Sequence, residues 1–397
     1  MIICTCVISG VLAAVTAAPP AVRAVTIEGQ SLEANWSGVS PAGAVVLIED
    51  GKPREISPDG LMLLRWPVEP ASRPTESGHQ TTIDLADGSR VIGRIIAGDA
   101  KHVTVATEPL PELRLPLTEL AGLRWRGSDQ PEALAAFEKA LAERDPSQDT
   151  LFVVREGRVT ALKGVTESLG PGGGSFRWRE RSVPIQAGSA FGIVFAAGVQ
   201  PPAAAQATCR LTDGSRWAGK LAGGDERSVI VELGGGTRVA LPVARIEEIR
   251  FRSDRVLFLS DLTPAEFVME PFGTTRWPYR KDRSVANRPM RIGEEVFERG
   301  LGVHSRSVLT FDLPGRFSRL AAVIGIDAGA APLGNVVFRV TADGRDVFNS
   351  GPVTGRDPPR PISVPIEGAK RIQLIVDFGG DLDIGDQADW AHARLIR

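Results

Sequence analysis

Cysteine is nearly absent from this sequence once the first residues are set aside. Cys4 and Cys6 lie in an N-terminal apolar segment, and only Cys209 is found in the remainder of the chain. That remainder cannot form an internal disulfide, so outside the cytoplasm it would have to be held together by its hydrophobic cores. A length of 397 residues is enough for two or three domains, each with a core of its own.

An excess of either charge is also missing. The sequence has 46 Lys and Arg residues against 48 Asp and Glu residues, which gives a formal net charge of -2. Proteins that bind nucleic acids usually present a broad basic surface. This balance therefore argues against DNA or RNA as a partner.

Long helical patterns are scarce, and the 43 glycines and 29 prolines predict many tight turns between short strands. The exception is the stretch "QPEALAAFEKALAERDPSQ", in which Leu134, Phe137 and Leu141 fall on one helical face. We expect a connecting helix within residues 129–149. The predicted fold class is all-β, with duplicated small β-barrel-like modules followed by a C-terminal jelly-roll β-sandwich.

Residues 1–24 form an apolar run of signal-peptide length, with small residues and Pro19-Pro20 before Ala24. This pattern predicts export with cleavage near Ala24, so the protein would be secreted, periplasmic or part of the cell envelope. A membrane anchor is the alternative, although the run is shorter than the roughly 20 residues that a spanning helix needs.

Two segments of the sequence repeat each other. "IDLADGSRVIGRIIAGDAKHVTVAT" starts at Ile83 and "CRLTDGSRWAGKLAGGDERSVIVEL" at Cys209, and their shared DGSR motifs begin at positions 87 and 213, an offset of 126 residues (213 minus 87). A weaker pair of similar segments precedes them. We therefore predict two repeat units, residues 25–128 and 150–254, each made of two small β-modules.

Each DGSR motif predicts a hairpin, because Asp and Gly accept the backbone angles of a tight turn between two alternating strands. Gly93 and Gly219 fall where the second strand would bend sharply, as in five-stranded barrels of the SH3 or Sm type. Sm proteins bind RNA through loops, and the corresponding turns here carry Asp99 and Asp225 instead of a basic cluster. The modules are therefore interpreted as scaffolds that contact protein partners.

From about Arg255 the sequence predicts at least seven further strands. "RIQLIVDFGG" has Ile372, Leu374, Val376 and Phe378 at alternate positions, whereas "FSRLAAVIGID" is apolar on both faces, as a central strand would be. Such a run of short strands and turns indicates two packed sheets.

Four motifs in this C-terminal part, taken in order, carry a family resemblance: "RSVANRPMRIGEEVFERGLGVHSRSVLTFDL", "AAVIGID", "VVFRVTADGRDVF" and "GDQADWAHARL". Residues 255–397 resemble the NPCBM family of carbohydrate-binding modules. The resemblance implies a galactose-binding-like β-sandwich that recognises a glycan or polysaccharide, often as an appendage of a glycoside hydrolase.

Binding without catalysis is the predicted function, because hydrolysis needs two acids across a cleft and no acidic pair stands out in the N-terminal two-thirds of the chain. Two alternatives stay open. The chain could be an accessory part of a glycoside hydrolase or a divergent one, or its role could be structural, through contacts with other proteins.

The candidate site combines rings that can stack on sugar C–H faces with polar partners for sugar hydroxyls. The loop "TTRWPYRKDRS" supplies Trp277, Tyr279, Arg280 and Asp282, and "GVHSRS" supplies His304 and Ser305. Two alternatives remain: Trp277 packs on the edge of the sandwich, and His304 is a structural residue bonded to the loop that follows Gly385.

Asp386 and Trp390 complete the predicted site, although Trp390 begins an apolar strand, as a core residue would. No cofactor is expected. Because the full calcium-loop spacing is missing, a solvated, charged loop is favoured over a structural calcium ion bound by four acidic residues. They are Asp381, Asp383, Asp386 and Asp389.

Overall fold

The computed structural model describes residues 20–67, 80–108, 110, 112–125, 130–197, 205–380 and 382–397. These ranges contain 33 β-strands and one α-helix, which confirms the predicted all-β class. No helix within them is both long and apolar enough to cross a membrane. The predicted signal segment lies outside the described residues up to residue 19.

The first repeat unit consists of two antiparallel modules of five strands each. Module 1 contains β1 (Ala21–Thr26), β2 (Ser31–Val39), β3 (Val45–Glu49), β4 (Lys52–Ile56) and β5 (Leu61–Arg65). Module 2 contains β6 (Thr81–Leu85), β7 (Arg90–Gly98), β8 (His102–Ala106), β9 (Leu113–Pro116) and β10 (Leu120–Trp125).

The second unit follows the only α-helix of the described chain, α1 (Pro131–Ala142), and likewise consists of two five-stranded modules. Module 3 contains β11 (Asp149–Arg155), β12 (Arg158–Gly170), β13 (Gly173–Trp178), β14 (Arg181–Gln186) and β15 (Ala190–Val194). Module 4 contains β16 (Ala207–Leu211), β17 (Arg216–Gly224), β18 (Ser228–Glu232), β19 (Arg238–Pro242) and β20 (Ile246–Phe251).

All four modules have one strand order. The first four strands pair consecutively, and the first strand also pairs with the fifth. The turns Asp87-Gly88 and Asp213-Gly214 join the first two strands of modules 2 and 4, and both glycines have positive φ. A Cβ at Gly219 would lie 2.2 Å from the carbonyl oxygen of Glu232, so a side chain would block the sharp bend there.

The start of module 1 bears on the predicted cleavage position. Strand β1 begins at Ala21, and Ala24 is fully buried opposite Leu32 of β2 and Leu64 of β5. A cut after Ala24 would remove four of the six residues of β1. The first module therefore includes residues 21–24, which the sequence pattern placed in the signal segment.

The repeat units are related by an approximate two-fold symmetry. Strand β5 of module 1 pairs with β20 of module 4, and β15 of module 3 pairs with β10 of module 2. At the centre, the Ala218 amide donates to Ser89 Oγ at 2.9 Å, and the Ile92 amide donates to Ser215 Oγ at 3.1 Å. Both serines belong to DGSR motifs, so the repeated motif forms each turn and also joins the two units.

Helix α1 covers the β10–β15 junction. Phe137 is buried there and packs edge-on against Phe152 and Phe191, at centroid distances of 5.8 and 6.0 Å. Gly122 and Gly192 in the sheet below leave room for this ring. The predicted helical face is confirmed, since Leu134 and Leu141 lie beside Phe137.

The C-terminal part is a β-sandwich with 13 strands in sequence from residue 256. They are β21 (Val256–Phe258), β22 (Glu266–Met269), β23 (Arg280–Lys281), β24 (Met290–Ile292), β25 (Glu295–Phe297), β26 (Gly300–His304), β27 (Ser307–Asp312), β28 (Arg319–Ile326), β29 (Asn335–Ala342), β30 (Arg345–Thr354), β31 (Arg360–Pro365), β32 (Arg371–Phe378) and β33 (Gln387–Ile396).

Two sheets enclose the core of the sandwich. One has the order β23-β26-β33-β28-β31, with β21 paired to the end of β33, and the other has the order β22-β27-β32-β29-β30. Leu309 and Phe311 on β27 are buried between the sheets with Trp390 on β33, which matches the predicted alternation. Strands β24 and β25 form a separate hairpin.

The sandwich rests on module 1 through the last strand of the chain. Arg394 on β33 is 2% exposed, and its Nε donates to the carbonyl oxygen of Ile27 at 2.8 Å. Ile27 also packs with Ala321 and Ile396 of the sandwich in a small buried cluster. The sandwich and the repeat units therefore share a packed interface.

Candidate functional site

The two glycines before His304 allow close packing of the loop that precedes β24. A Cβ at Gly302 would lie 2.4 Å from the carbonyl oxygen of Arg283, so a side chain there would push this loop off strand β26. Gly300 has φ of +148°, and a Cβ there would lie 2.7 Å from the carbonyl oxygen of Trp390. The "GLGVH" stretch thus places His304 at the end of strand β26, against which the loop before β24 packs closely.

His304 stacks flat on Trp277. The ring centroids are 5.4 Å apart and the planes differ by 5°. His304 is only 6% exposed, whereas Trp277 is half-buried, so the indole is the solvent-facing member of the pair. The Trp277 amide donates to the sulfur of Met269 at 2.9 Å, which anchors the loop at this position.

The imidazole has a defined hydrogen-bonding pattern. Its Nδ1 lies 3.0 Å from the carbonyl oxygen of Ser305. A carbonyl oxygen can only accept, so Nδ1 carries a proton, and in the neutral tautomer that has this proton Nε2 is an acceptor. The pair therefore offers an aromatic face and one hydrogen-bond acceptor at the same end of the sandwich.

Ser305 and Asp386 are fully buried and bonded to each other. Ser305 Oγ donates to Asp386 Oδ2, and the Asn335 amide donates to Asp386 Oδ1 at 2.9 Å. These contacts tie three loops together beneath the surface. Both residues are corrected from ligand contacts to supports of the site, because buried groups with internal partners cannot meet a sugar.

The loop residues after Trp277 point in different directions. Tyr279 packs edge-on against Phe267 at a centroid distance of 5.1 Å and contacts the sandwich core. Arg280 is exposed on β23. Asp282 accepts from the Gly300 amide at 3.0 Å and lies 3.6 Å from Arg299, so it orders the far end of β26 and not the end at His304.

Trp390 is a core residue, and the prediction that it contacts a glycan is corrected. Its side chain is fully buried and meets Phe338 edge-on at 4.9 Å. It is screened from solvent by both sheets, because it lies on the inner face of β33 in the middle of the first sheet.

Of the acidic residues considered as calcium ligands, Asp386 and Asp389 are buried and Asp383 is half-buried. No group of His, Cys, Asp or Glu suited to a metal ion occurs among the described residues, and Asp381 lies outside them. Burial raises the pKa of Asp389 well above its usual range, and the charge of nearby Asp327 raises it further. A side-chain hydrogen bond with Asp327 raises this pKa as well, which is consistent with a protonated Asp389 carboxyl that donates to Asp327.

Several exposed apolar side chains surround this end of the sandwich and were missed by the sequence reasoning. Phe272 is 61% exposed and lies edge-on to Phe378 at 6.5 Å. Leu333, Leu382 and Ile384 are each more than half exposed, on loops joined through Asn335 and Asp386. The sequence signal that could have identified these side chains is an apolar residue within each Gly-, Pro- and Asp-rich loop.

This architecture is a two-sheet β-sandwich with a stacked aromatic pair among the loops at one end. Residues 255–396 match the NPCBM/NEW2 domain family, as the motif order predicted. The chain thus contains an NPCBM domain C-terminal to its repeat units.

Three relatives are similar to this chain. A putative endo-alpha-N-acetylgalactosaminidase of Renibacterium salmoninarum is 32% identical over 108 residues, which are 27% of this chain and 7% of the relative. Alpha-1,3-galactosidase B of Akkermansia muciniphila is 31% identical over 115 residues, 28% of this chain and 14% of the relative. The chain therefore matches only a small part of these enzymes.

The third is a solved structure, a CBM51 module from Clostridium perfringens GH95 in complex with methyl-galactose. It is 24% identical, covers 35% of this chain and 99% of that chain, and has a TM-score of 0.33.

Proposed function

We propose that the chain is a non-catalytic carbohydrate-binding protein whose NPCBM domain holds a glycan against Trp277. The observation that carries the proposal is the flat Trp277–His304 stack at the loop end of the domain. The match of residues 255–396 to NPCBM/NEW2 supports it, and so does the limited overlap with two enzymes named for galactose-type sugars.

The chemistry of the pair suits a sugar ring. An indole face attracts the C–H face of a pyranose, and the flanking hydroxyls need hydrogen-bond partners. His304 Nε2 provides an acceptor, and the buried Ser305–Asp386 bond keeps the strand end in place. Preorganised contacts of this kind lower the entropy cost of binding.

The remaining parts of the chain have supporting roles in this proposal. The four modules are SH3-like barrels that act as a scaffold for protein partners, in two units over residues 21–128 and 150–254. The protein is exported to the periplasm, the cell envelope or the medium, and residues before β1 direct this export. The proposed mature chain therefore starts no later than Ala21.

The first testable prediction concerns the stacking ring. Trp277→Ala in the full chain should weaken binding to an array of glycans ending in galactose or N-acetylgalactosamine by about 1 to 3 kcal/mol, by analogy with other stacked planar ligands. Trp178→Ala removes a half-buried tryptophan of module 3 and is the matched control. It should leave glycan affinity unchanged.

His304→Ala tests the other ring of the pair. Because His304 is nearly buried, both the melting temperature and the affinity should fall, whereas Trp277→Ala should lower mainly the affinity. Equal affinity of wild type and Trp277→Ala per folded molecule would contradict the proposal. Release of reducing sugar from a bound glycan would favour the hydrolase alternative instead.

A further inference from the structure

A cavity of about 730 Å³ lies between the repeat units and the sandwich, away from the Trp277–His304 pair. Its walls come from module 1, module 4 and the sandwich, with Leu63, Phe251 and Phe258 among the apolar residues of these three parts. Pockets for small organic ligands typically enclose about 300 to 1,000 Å³ between apolar walls with a few polar groups, often at domain interfaces.

Five arginines line the cavity. Three of them are paired with carboxylates: Arg65 with Glu248 at 2.7 Å, Arg250 with Glu298 at 2.6 Å, and Arg299 with Asp261. The other two, Arg252 and Arg397, have no ion pair with any carboxylate in the described chain, and Asp254 is the one further acid in the lining. Arg397 Nη1 donates to the carbonyl oxygen of Asp254 at 3.3 Å, and its guanidinium group lies over the Phe317 ring at 5.6 Å. The remaining N–H groups of Arg397 and the guanidinium group of Arg252 are the donors left for a bound anion.

His392 adds a neutral polar group to the wall. Its ring lies edge-on to Phe297 at 5.1 Å and to Phe258 at 6.5 Å. Burial and the charges of Arg394, Arg250 and Arg65 lower the pKa of His392 to about 3, so the ring is uncharged near pH 7. It can therefore hydrogen-bond to a ligand without adding a further positive charge.

The internal symmetry explains why this space is open. On the β10–β15 junction, Gly122 lies opposite Val194, and helix α1 fills the space above them. On the equivalent β5–β20 junction, Glu248 lies opposite Arg65, and the described chain has no α-helix above them. The sandwich spans this junction instead and leaves the cavity where α1 lies in the other half.

We propose that this cavity binds a small carboxylate with an apolar or sugar ring. Its ring would lie beside Phe251 and Phe258, one face of which the Arg299 guanidinium group covers at 4.9 Å, and its carboxylate on Arg252 and Arg397. Planar guanidinium groups match the two oxygens of a carboxylate, and aromatic rings match the faces of an aryl group or a pyranose. The site does not depend on glycan binding at Trp277.

The test is calorimetric titration of the full chain with D-glucuronate and with benzoate. At least one of them should bind saturably to one site. Its dissociation constant should rise at least tenfold in Arg252→Gln, in Arg397→Gln and in Val296→Trp, which fills the cavity from an exposed lining position. Arg158→Gln, an exposed arginine of module 3, is the matched control and should bind as wild type does.

The two probes distinguish the source of the ligand. Binding of glucuronate alone indicates an acidic sugar, and binding of benzoate alone indicates an aromatic acid. Trp277→Ala should leave either titration unchanged, so failure of this proposal and failure of the glycan proposal are separate results. Absence of saturable binding by both probes, or binding that Val296→Trp does not weaken, would overturn the inference.

Discussion

Trp277 and His304 form a structural contact at the place proposed for glycan binding. The histidine is nearly buried and bonded to the neighbouring carbonyl group, yet its flat contact sets the orientation of the more exposed indole. A rigid ring loses little entropy on binding, so affinity at such a site depends on the support below it. Ser305 and Asp386 provide that support from beneath the surface.

Asp389 leads to a prediction about pH. Its pKa is raised well above the usual range of an aspartate by burial and by Asp327, so folding favours the protonated form. Its contribution to stability is fully present below about pH 4 and is lost as pH rises toward the folded pKa, by up to about 1.4 kcal/mol per pH unit. Asp389→Asn cannot ionise and should be free of this loss.

Urea unfolding of wild type and Asp389→Asn between pH 4 and pH 8 checks this. The free energy of unfolding of Asp389→Asn should increase relative to that of wild type as pH rises. Asp357→Asn, at an exposed carboxylate of the same sandwich, should follow the wild-type profile. If the Asp389→Asn and wild-type profiles are parallel, Asp389 is ionised in the folded protein.

At the scale of elements, α1 acts as part of the repeat core and not only as a connection. Phe137 is 2% exposed between two other phenylalanines. Phe137→Ala should therefore cost about 3 to 5 kcal/mol, as truncation of a buried ring usually does. Faster hydrogen exchange of the backbone amides of α1 and β15 would show this loss of stability.

Glu138→Ala provides the comparison for this experiment, because Glu138 is the exposed neighbour of Phe137 on the same helix. Its exchange rates should stay near those of wild type. A similarly small effect of Phe137→Ala would mean that α1 connects the units without stabilising their junction.

At the scale of the whole molecule, Arg394 connects the sandwich to the repeat units. Its guanidinium group donates to the carbonyl oxygens of Ile27 and His392, and burial lowers its pKa to about 10. Arg394→Leu removes the donors and leaves the Ile27 carbonyl buried, at a cost of about 2 to 3 kcal/mol. We expect the two parts to separate, with a larger radius of gyration in small-angle X-ray scattering.

Arg345→Leu, at an exposed position in the same sandwich, is the control and should keep the wild-type radius. An unchanged radius in Arg394→Leu would show that the apolar cluster around Ile27 holds the interface without the arginine.

The sequence by itself determined the local features of this protein. Alternating strands, Asp-Gly turns and the DGSR repeat depend on neighbouring residues, so the all-β class, the hairpins and α1 could be predicted. The NPCBM match followed from four continuous sequence motifs and their order along the chain. The loop and strand that form the Trp277–His304 pair were both predicted as parts of the site.

Only the tertiary structure decided which side chains meet. The pairing of β5 with β20 and of β10 with β15 uses main-chain hydrogen bonds, which leave little trace in side-chain patterns. Ser305, Asp386 and Trp390 looked like binding groups by residue type, and their burial depends on strands distant in sequence. The cavity has the same origin, because its walls come from three separate parts of the chain that meet only on folding.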